Sequence, residues 1–561
     1  MTAPDSQPSP VDALADRFWE AVLDLSPTMA TFYGDDRYAD RLEDPGPDGR
    51  RRERTLMERT AADAAAIETA GLPTEERITR DMLRVVAELQ LEEDDQNLYQ
   101  LRVVDQMGGP QQLLPQLTQF QPVDTPERLE AFIARLHAYP AFMAANIGNV
   151  RDGLASGLTA PRIVAERTIA QIERMLAVPI ESAIVPSMVK VASERDRERV
   201  REIVRDVVYP ADLAFLEALQ GDYLAATRED PGLWSAPNGE ALYRTAIRSR
   251  TTLDLDPEEV HRIGLDDLDS IEGERREIAQ AAGFGDDTTA YRSALHADVG
   301  NTPTTKDALV RRATEDIERA MAAAPRFFGT LPRAACDVRP VEEYKETDAP
   351  PAYYYPPAPD GSRPGIYYAN GYDLPSRKFS KLAMMTYHEA VPGHHFQIAL
   401  EMENPRLNTF RRLGARMVGG SYVEGWGLYS ERLADEMGLY RDEAERFGML
   451  DAQAWRAARL VVDTGLHALR WPRQRSIEFL IVAGLSETDA VIETDRYISW
   501  PGQALTYKIG QRAIERLRAE LSARDGSSFD LRAFHDAVLG HGSLPLATLT
   551  RELPNWLATP V

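Results

Sequence analysis

A chain of 561 residues, 43% hydrophobic and 27% charged, has the composition of a globular protein long enough for more than one domain. Its formal charge of −25 repels nucleic acid and anionic lipid surfaces, so neither is an expected partner. The single cysteine, Cys336, excludes an intrachain disulfide and dependence on an oxidising compartment, and Ala334-Ala335-Cys336-Asp337 offers it no neighbouring base.

Residues 1–9 are polar and contain prolines, without a basic segment leading into an apolar one. No secretory signal is expected there, and the expected location is cytoplasmic. From 11 to 101 the pattern is helical: Ala13, Leu14, Phe18, Ala21, Val22 and Leu25 recur at three- and four-residue spacing, and Asp44-Pro45-Gly46-Pro47-Asp48-Gly49 breaks the pattern with a turn. Further helices are expected over 125–139, 144–157, 161–176 and 193–226, with Thr125 as an N-cap and Pro161 in a first helical position. Amphipathic helices in series, with almost no alternating runs, predict an α-rich lobe. The segment 229–235 reads as a loop, and Asp254-Leu255-Asp256-Pro257-Glu258-Glu259 opens a new helix with a cap and an acidic first turn. A boundary here divides the chain into an N-terminal helical lobe, 1–250, and a second lobe, 251–561, that carries the chemistry.

Between 340 and 375 the prolines Pro350, Pro351, Pro356, Pro357, Pro359 and Pro364 exclude a helix. Tyr353, Tyr354 and Tyr355 among them either line a groove or pack as a surface meander. The segment 365–370 is the best strand candidate, with Tyr368 and Asn370 as candidate substrate contacts. Ser376 or Ser380 then caps the helix that leads into the most informative stretch.

That stretch is Thr386-Tyr387-His388-Glu389-Ala390-Val391-Pro392-Gly393-His394-His395-Phe396-Gln397. It holds three of the nine histidines of the chain, the first followed by a carboxylate. Clustered imidazoles beside a Glu are how a chain holds Zn2+ and keeps a base next to the water such an ion activates. In the H-E-x-x-H helix the histidines are four apart, but here Pro392 occupies that position. His394 and His395 follow at i+6 and i+7, roughly 9 to 10.5 Å along an unbroken helix axis. Pro392 lacks an N–H and crowds the carbonyl of His388, and Gly393 adds backbone freedom, so the helix is expected to break and bring one of the two back. Adjacent helical residues diverge by about 100°, which makes Glu389 the general base rather than a ligand.

Downstream, in Gly419-Gly420-Ser421-Tyr422-Val423-Glu424-Gly425-Trp426, Glu424 is the expected third ligand. Glu431, seven residues on and therefore on the same helix face, is a candidate to accept a hydrogen bond from a ligand histidine. A helix over 455–471 sets Arg459, Asp463 and His467 on one face, either as a bracing ladder or with His467 donating to an oxyanion and Asp463 orienting it. A last segment, 496–510, offers Arg496 and Tyr497 as substrate contacts and Tyr507 as a phenolic oxyanion donor. The apolar stretch 479–485 is far short of the ~20 residues of a membrane span.

His388-Glu389-x-x-Pro392-Gly393-His394-His395-x-Gln397 with Tyr422-Val423-Glu424-Gly425-Trp426 resembles the bacterial domain of unknown function 885 family over most of the chain. More distantly, over the catalytic segments alone, it is similar to the gluzincin peptidases thimet oligopeptidase and neurolysin. That resemblance implies His394 rather than His395 as second ligand, because Gly393-His394 matches the Gly-His that closes the gluzincin motif. It also implies an edge strand at 365–370 that pairs with bound peptide, and short peptides as substrate. The expected fold is mainly α, a two-lobed helical metallopeptidase-like arrangement with a deep cleft and a small β-sheet beside the zinc helix, as monomer or homodimer. The expected function is zinc-dependent hydrolysis by a metallopeptidase. The alternatives are an inactive peptide-binding scaffold on that fold and a metal-dependent hydrolase of a non-peptide amide or ester.

Overall fold

Several helices of this chain start where a short polar side chain accepts an otherwise orphaned backbone N–H, and the computed structural model shows those caps in place. It describes residues 8–183, 185, 193–342, 346, 350–358, 361 and 363–558. Most of the polar N-terminal segment and Pro359 therefore lie outside the described residues. The chain divides into two compact units.

The first unit contains the residues up to Ala246 together with Gly465–Arg475 and Val491–Pro501. Helix α1 (Pro10–Leu25) is capped by Ser9, which accepts the N–H of Asp12, and it buries Leu14, Phe18 and Val22 as their spacing requires. Helices α2 (Pro47–Ala66) and α3 (Thr74–Asp95) follow the expected turn. Thr125 caps α4 (Pro126–Ser156) through the N–H of Arg128. The two helices expected at 125–139 and 144–157 are one: α4 passes through Pro140 and ends at Gly157, where φ is +76°. Burial of Phe132, Leu136, Tyr139, Met143 and Val150 along its length holds both halves on one core and outweighs the backbone bond that Pro140 removes. Pro161 stands one place earlier than expected, at the N-cap of Arg162–Ala177.

The second unit contains Ile247–Thr464, Ser476–Ala490 and Gly502–Val561. It opens with α5 (Pro257–Ala281), whose cap Asp256 accepts from the N–H groups of Glu258 and Glu259. A three-stranded sheet follows, β1 (Cys336–Pro340), β2 (Ala352–Tyr355) and β3 (Gly365–Ala369), in the order β1-β3-β2. The tyrosine triplet is thus part of a strand, and Tyr353 stacks on Tyr368 across the β2–β3 pair with ring centroids 4.9 Å apart. Because β3 lies between β1 and β2, it has no free edge. The expectation that this strand pairs with a bound peptide is corrected, since its backbone is already spent on its neighbours.

Past the sheet come α6 (Phe379–Glu389), α7 (His394–Glu403), α8 (Arg416–Glu436), α9 (Glu443–His467), α10 (Glu487–Ser499) and α11 (Thr506–Asp525). Neither Ser376 nor Ser380 caps α6, which starts after Lys378; instead the side-chain oxygen of Asn301 accepts the N–H of Ser380 at 2.9 Å. Helix α9 runs back along α8, tied by Arg446 to Asp435 at 3.0 Å and by Gln453 to the Leu428 carbonyl at 3.1 Å. α8 and α11 pack backbone to backbone: a Cβ on Gly510 would lie 1.9 Å from the Ser421 carbonyl, and one on Gly425 2.4 Å from the Gly510 Cα. Among the described residues, no helix is long and apolar enough to cross a membrane. The architecture is mainly helical with one small sheet.

Candidate metal centre

The break foreseen at Pro392 is a full interruption. α6 ends at Glu389, Ala390 takes φ −110° and ψ −97°, the Val391–Pro392 peptide is cis, and α7 starts after Gly393 at φ −81° and ψ −129°. Here the chain folds back so tightly that a Cβ on Gly393 would sit 1.9 Å from the carbonyl oxygen of His388, so only glycine fits. α8 pins the turn from outside: the indole N–H of Trp426 donates to the Pro392 carbonyl at 2.9 Å and the Ser430 hydroxyl to that of Tyr387 at 3.1 Å. The result brings the rings of His388 and His394 to a centroid distance of 4.6 Å, nearly perpendicular at 84°.

Glu424 completes the group. Its Oε2 lies 3.7 Å from Nε2 of His388 and 3.6 Å from Nε2 of His394, and one donor atom from each residue falls within 4.8 Å of the others. These separations are too long for hydrogen bonds but close to the spacing of donors around a shared ion. Tetrahedral ligands at about 2.1 Å from zinc stand roughly 3.4 Å apart. Two imidazoles and a carboxylate, with the Glu424 side chain still 27% exposed, match three ligands and one open position. Gly427 leaves the room they need, because a Cβ there would come within 2.9 Å of both imidazoles.

The surroundings favour charge on this set. Burial opposes protonation of His388, but Glu424 and Glu431 outweigh it and raise its pKa to about 10. For Glu424, burial works to raise the pKa, yet His388 and His394 hold the carboxyl well below its ordinary range. A cation held by this set would take the place of that proton.

Behind the ligands, Nδ1–H of His388 donates to Oε1 of Glu431 at 2.8 Å. That bond leaves Nε2 as the nitrogen turned toward Glu424. Glu431 is fully buried; its Oε2 accepts from Gln453 of α9 at 2.8 Å, and Gln453 in turn accepts from Lys508 and Gln511 of α11, each at 3.0 Å. Burial lowers the Lys508 ammonium to about 8.

The other candidates fall into two groups. Glu389, the last residue of α6, is half-buried, and its carboxylate makes no hydrogen bond or ion pair among the described residues. His395 points away from the triad: Nε2–H donates to the Ala334 carbonyl at 3.1 Å and Nδ1 accepts from Tyr354 at 2.9 Å, while burial lowers its pKa to about 4. Of the two, His394 is the one whose imidazole lies beside His388 and Glu424. Asn370 is sealed, donating to the carbonyls of Glu346 and Pro350 and accepting the N–H of Tyr372. Tyr368 of β3 is held in the tyrosine stack, so both proposed substrate contacts, Tyr368 and Asn370 just after the strand, are engaged within the chain. Asp463 accepts the N–H of Gly502 at 3.1 Å, and Arg459 lies 4.4 Å over the Tyr507 ring.

His467, Arg496 and Tyr497 belong to the first unit. His467 accepts the N–H of Leu233 at Nδ1 (3.1 Å) and donates Nε2–H to the Tyr497 carbonyl (2.9 Å), and burial lowers it to about 4. No N–H is left for an oxyanion, so its expected catalytic role is withdrawn. Arg496 pairs with Glu493 at 3.5 Å. The lone thiol of Cys336 is raised by burial to about 12, which suits no nucleophile.

Sequence reasoning missed Gly427, Gln453 and Lys508. The glycines at 425 and 427 within one helix were a visible signal of close packing; Gln453 and Lys508 carried none.

The profile of a family described as "Bacterial protein of unknown function (DUF885)" matches residues 27–553. A solved structure described as the "putative lipoprotein" from Colwellia psychrerythraea is 29% identical, covers 98% of each chain and superposes with a TM-score of 0.89. A second, described as a "putative lipoprotein" of unknown function from Shewanella oneidensis, is 19% identical, with 97% of this chain and 99% of that one covered and a TM-score of 0.78. No curated protein matches.

Proposed function

We propose, from the premise that the chain belongs to the DUF885 family of bacterial proteins of unknown function, that it is a zinc-dependent hydrolase, and specifically a metallopeptidase acting on short peptides. The observation that carries this reading is the meeting of His388, His394 and Glu424 donor atoms within 4.8 Å, beside a glutamate, Glu389, that has no partner among the described residues. With it go the likeness to gluzincin peptidases and a metallopeptidase-like fold with a deep substrate cleft.

A zinc ion held by His388, His394 and Glu424 would supply Lewis acidity, polarising the scissile carbonyl and easing deprotonation of water. Glu389 takes the proton from the attacking water at its carboxylate and then passes it to the departing nitrogen. The Glu431 carboxylate holds the His388 ring in the tautomer that leaves Nε2 to the ion. Tyr507, on the first turn of α11, is the phenol proposed to donate to the oxyanion.

Purified without chelators, the protein should carry about one zinc per chain and cleave short peptides. Glu389→Gln should keep the zinc and lose activity by roughly 10²- to 10⁴-fold. Equal turnover in that variant removes Glu389 from the mechanism, and a chain that binds no zinc overturns the reading. Small esters screened in parallel separate a peptidase from a hydrolase of another class. The cytoplasmic expectation stands against the word lipoprotein in the descriptions of both structural neighbours, and cell fractionation decides it.

A further inference from the structure

Arg456 is buried, 8% exposed, yet its guanidinium has no acceptor among the described residues. Nε and Nη1 are shielded from solvent without a hydrogen-bond partner, and among the described residues no carboxylate or carbonyl engages the group. Its Cζ lies 4.5 Å from the centroid of the Trp455 ring. A guanidinium in this state has given up hydration that no described residue returns. Arg275, by contrast, pairs with Asp451 at 2.7 Å.

The position of Arg456 is set by its neighbours on α9. Gln453, one turn before it, reaches Glu431 of α8 and Lys508 and Gln511 of α11. Arg459, one turn after it, covers the ring of Tyr507 at the start of α11. Residues at i, i+3 and i+6 follow one another along a helix face, so Arg456 lies between two side chains that both face the α8–α11 pair. Since α9 runs antiparallel to α8, moving from Gln453 to Arg456 is a step of about 4.5 Å along the direction that leads from Glu431 to the ligand Glu424. The unpartnered cation therefore stands on the ligand side of the Glu431–Gln453 contact, within the same unit as the triad.

We infer that Arg456 binds a carboxylate of the substrate, and that the protein acts on peptides anchored by a free carboxylate next to the scissile bond. Guanidinium and carboxylate match as a two-pronged pair, and inside a buried site such a pair is strong. The inference rests on the metallopeptidase reading for the reaction but not for the binding. The carboxylate is either the C-terminal one or an acidic side chain, and the two are distinguished by experiment.

Three zinc-loaded proteins are compared: the parent chain, Arg456→Met and Arg456→Lys. Each is given a short peptide as its free acid, the same peptide as its C-terminal amide, and an amidated version with one Asp or Glu. Turnover is followed in these proteins, and binding is measured by calorimetry in Glu389→Gln and its Arg456 double variants. The parent should prefer one carboxylate-bearing peptide, and Arg456→Met should weaken that peptide alone by about 10- to 100-fold, with zinc content unchanged and partial recovery in Arg456→Lys. Thermal stability of Arg456→Met should stay level or rise, because no hydrogen-bond partner among the described residues is lost; a fall of many degrees marks a structural arginine and overturns the inference. Cleavage with the same acid-to-amide ratio in parent and Arg456→Met also overturns it, while leaving the peptidase reading intact. Arg456-dependent binding without any cleavage keeps the carboxylate site and removes the peptidase. Absence of both binding and cleavage removes both.

Discussion

Glu431 has two hydrogen-bond donors to satisfy, Nδ1–H of His388 and the Gln453 amide, each at 2.8 Å, and only an ionised carboxylate accepts both. In Glu431→Gln one of them loses its acceptor inside the core, which turns or loosens the ligand ring. The zinc affinity should fall by about 10- to 100-fold. Titration against a competing chelator reads this directly, and an unchanged Kd would take Glu431 out of the site. The same titration carries a pH signature. His388 sits at about 10, above its ordinary 6.5, so its proton stabilises the metal-free fold fully below about pH 6.5 and that contribution is lost as pH rises through about 10. Glu424, held low, contributes above the ordinary carboxylate range and loses that contribution as pH falls through its depressed value. Zinc must displace the His388 proton, so its affinity should rise about tenfold per pH unit between roughly 7 and 9. In Glu431→Gln, with one of the two supporting carboxylates neutralised, that rise should level off at a lower pH. Much at this scale was legible in the chain: the His-Glu pair, Glu424 and Glu431 all follow from residue type and spacing. Choosing His394 over His395 on geometry required the fold-back at Gly393, a backbone conformation that spacing does not specify.

Among the elements, the contact between α8 and α11 carries most consequence, because α8 holds Glu424, Gly427 and Glu431 together. Gly425 and Gly510 let the two backbones touch. A methyl group at 510 would lie 1.9 Å from a carbonyl oxygen and must push the helices apart, at about 1–3 kcal/mol or more. Gly510→Ala should therefore lower the urea midpoint and weaken zinc binding together. Gly420, also on α8, meets nothing within 4 Å, so Gly420→Ala should be neutral or stabilise by about 0.5–1 kcal/mol through helix propensity. Equal midpoints for the two variants would show that the backbone contact does not matter. Helix starts at Thr125 and Asp256 were readable because caps act locally, within a turn of the residue concerned. The cap of α6 was not, since Asn301 comes from a distant part of the chain. Nor was the central place of β3, because strand order depends on long-range pairing that no local pattern encodes.

At the scale of the whole molecule, a boundary near residue 250 follows from a loop composition followed by a strong helix start, and the first unit runs to Ala246. What local composition does not reveal is that Gly465–Arg475 and Val491–Pro501 return to the first unit. That division has a thermodynamic consequence, because all three proposed ligands, the base Glu389 and the chain of contacts through Glu431 and Gln453 lie in the second unit. Zinc that binds only the folded site stabilises by mass action, about 2.7 kcal/mol at a hundredfold excess over Kd. The stabilisation acts on the openings that disrupt the site. Hydrogen exchange followed by mass spectrometry, with and without saturating zinc, should show protection gained in α6, α7, α8 and the Gln453 turn of α9. Peptides from α1 to α4 should exchange at the same rate in both samples. Protection spread evenly over both units would mean that they open as one cooperative body, and protection confined to α1–α4 would put the ion somewhere other than His388, His394 and Glu424.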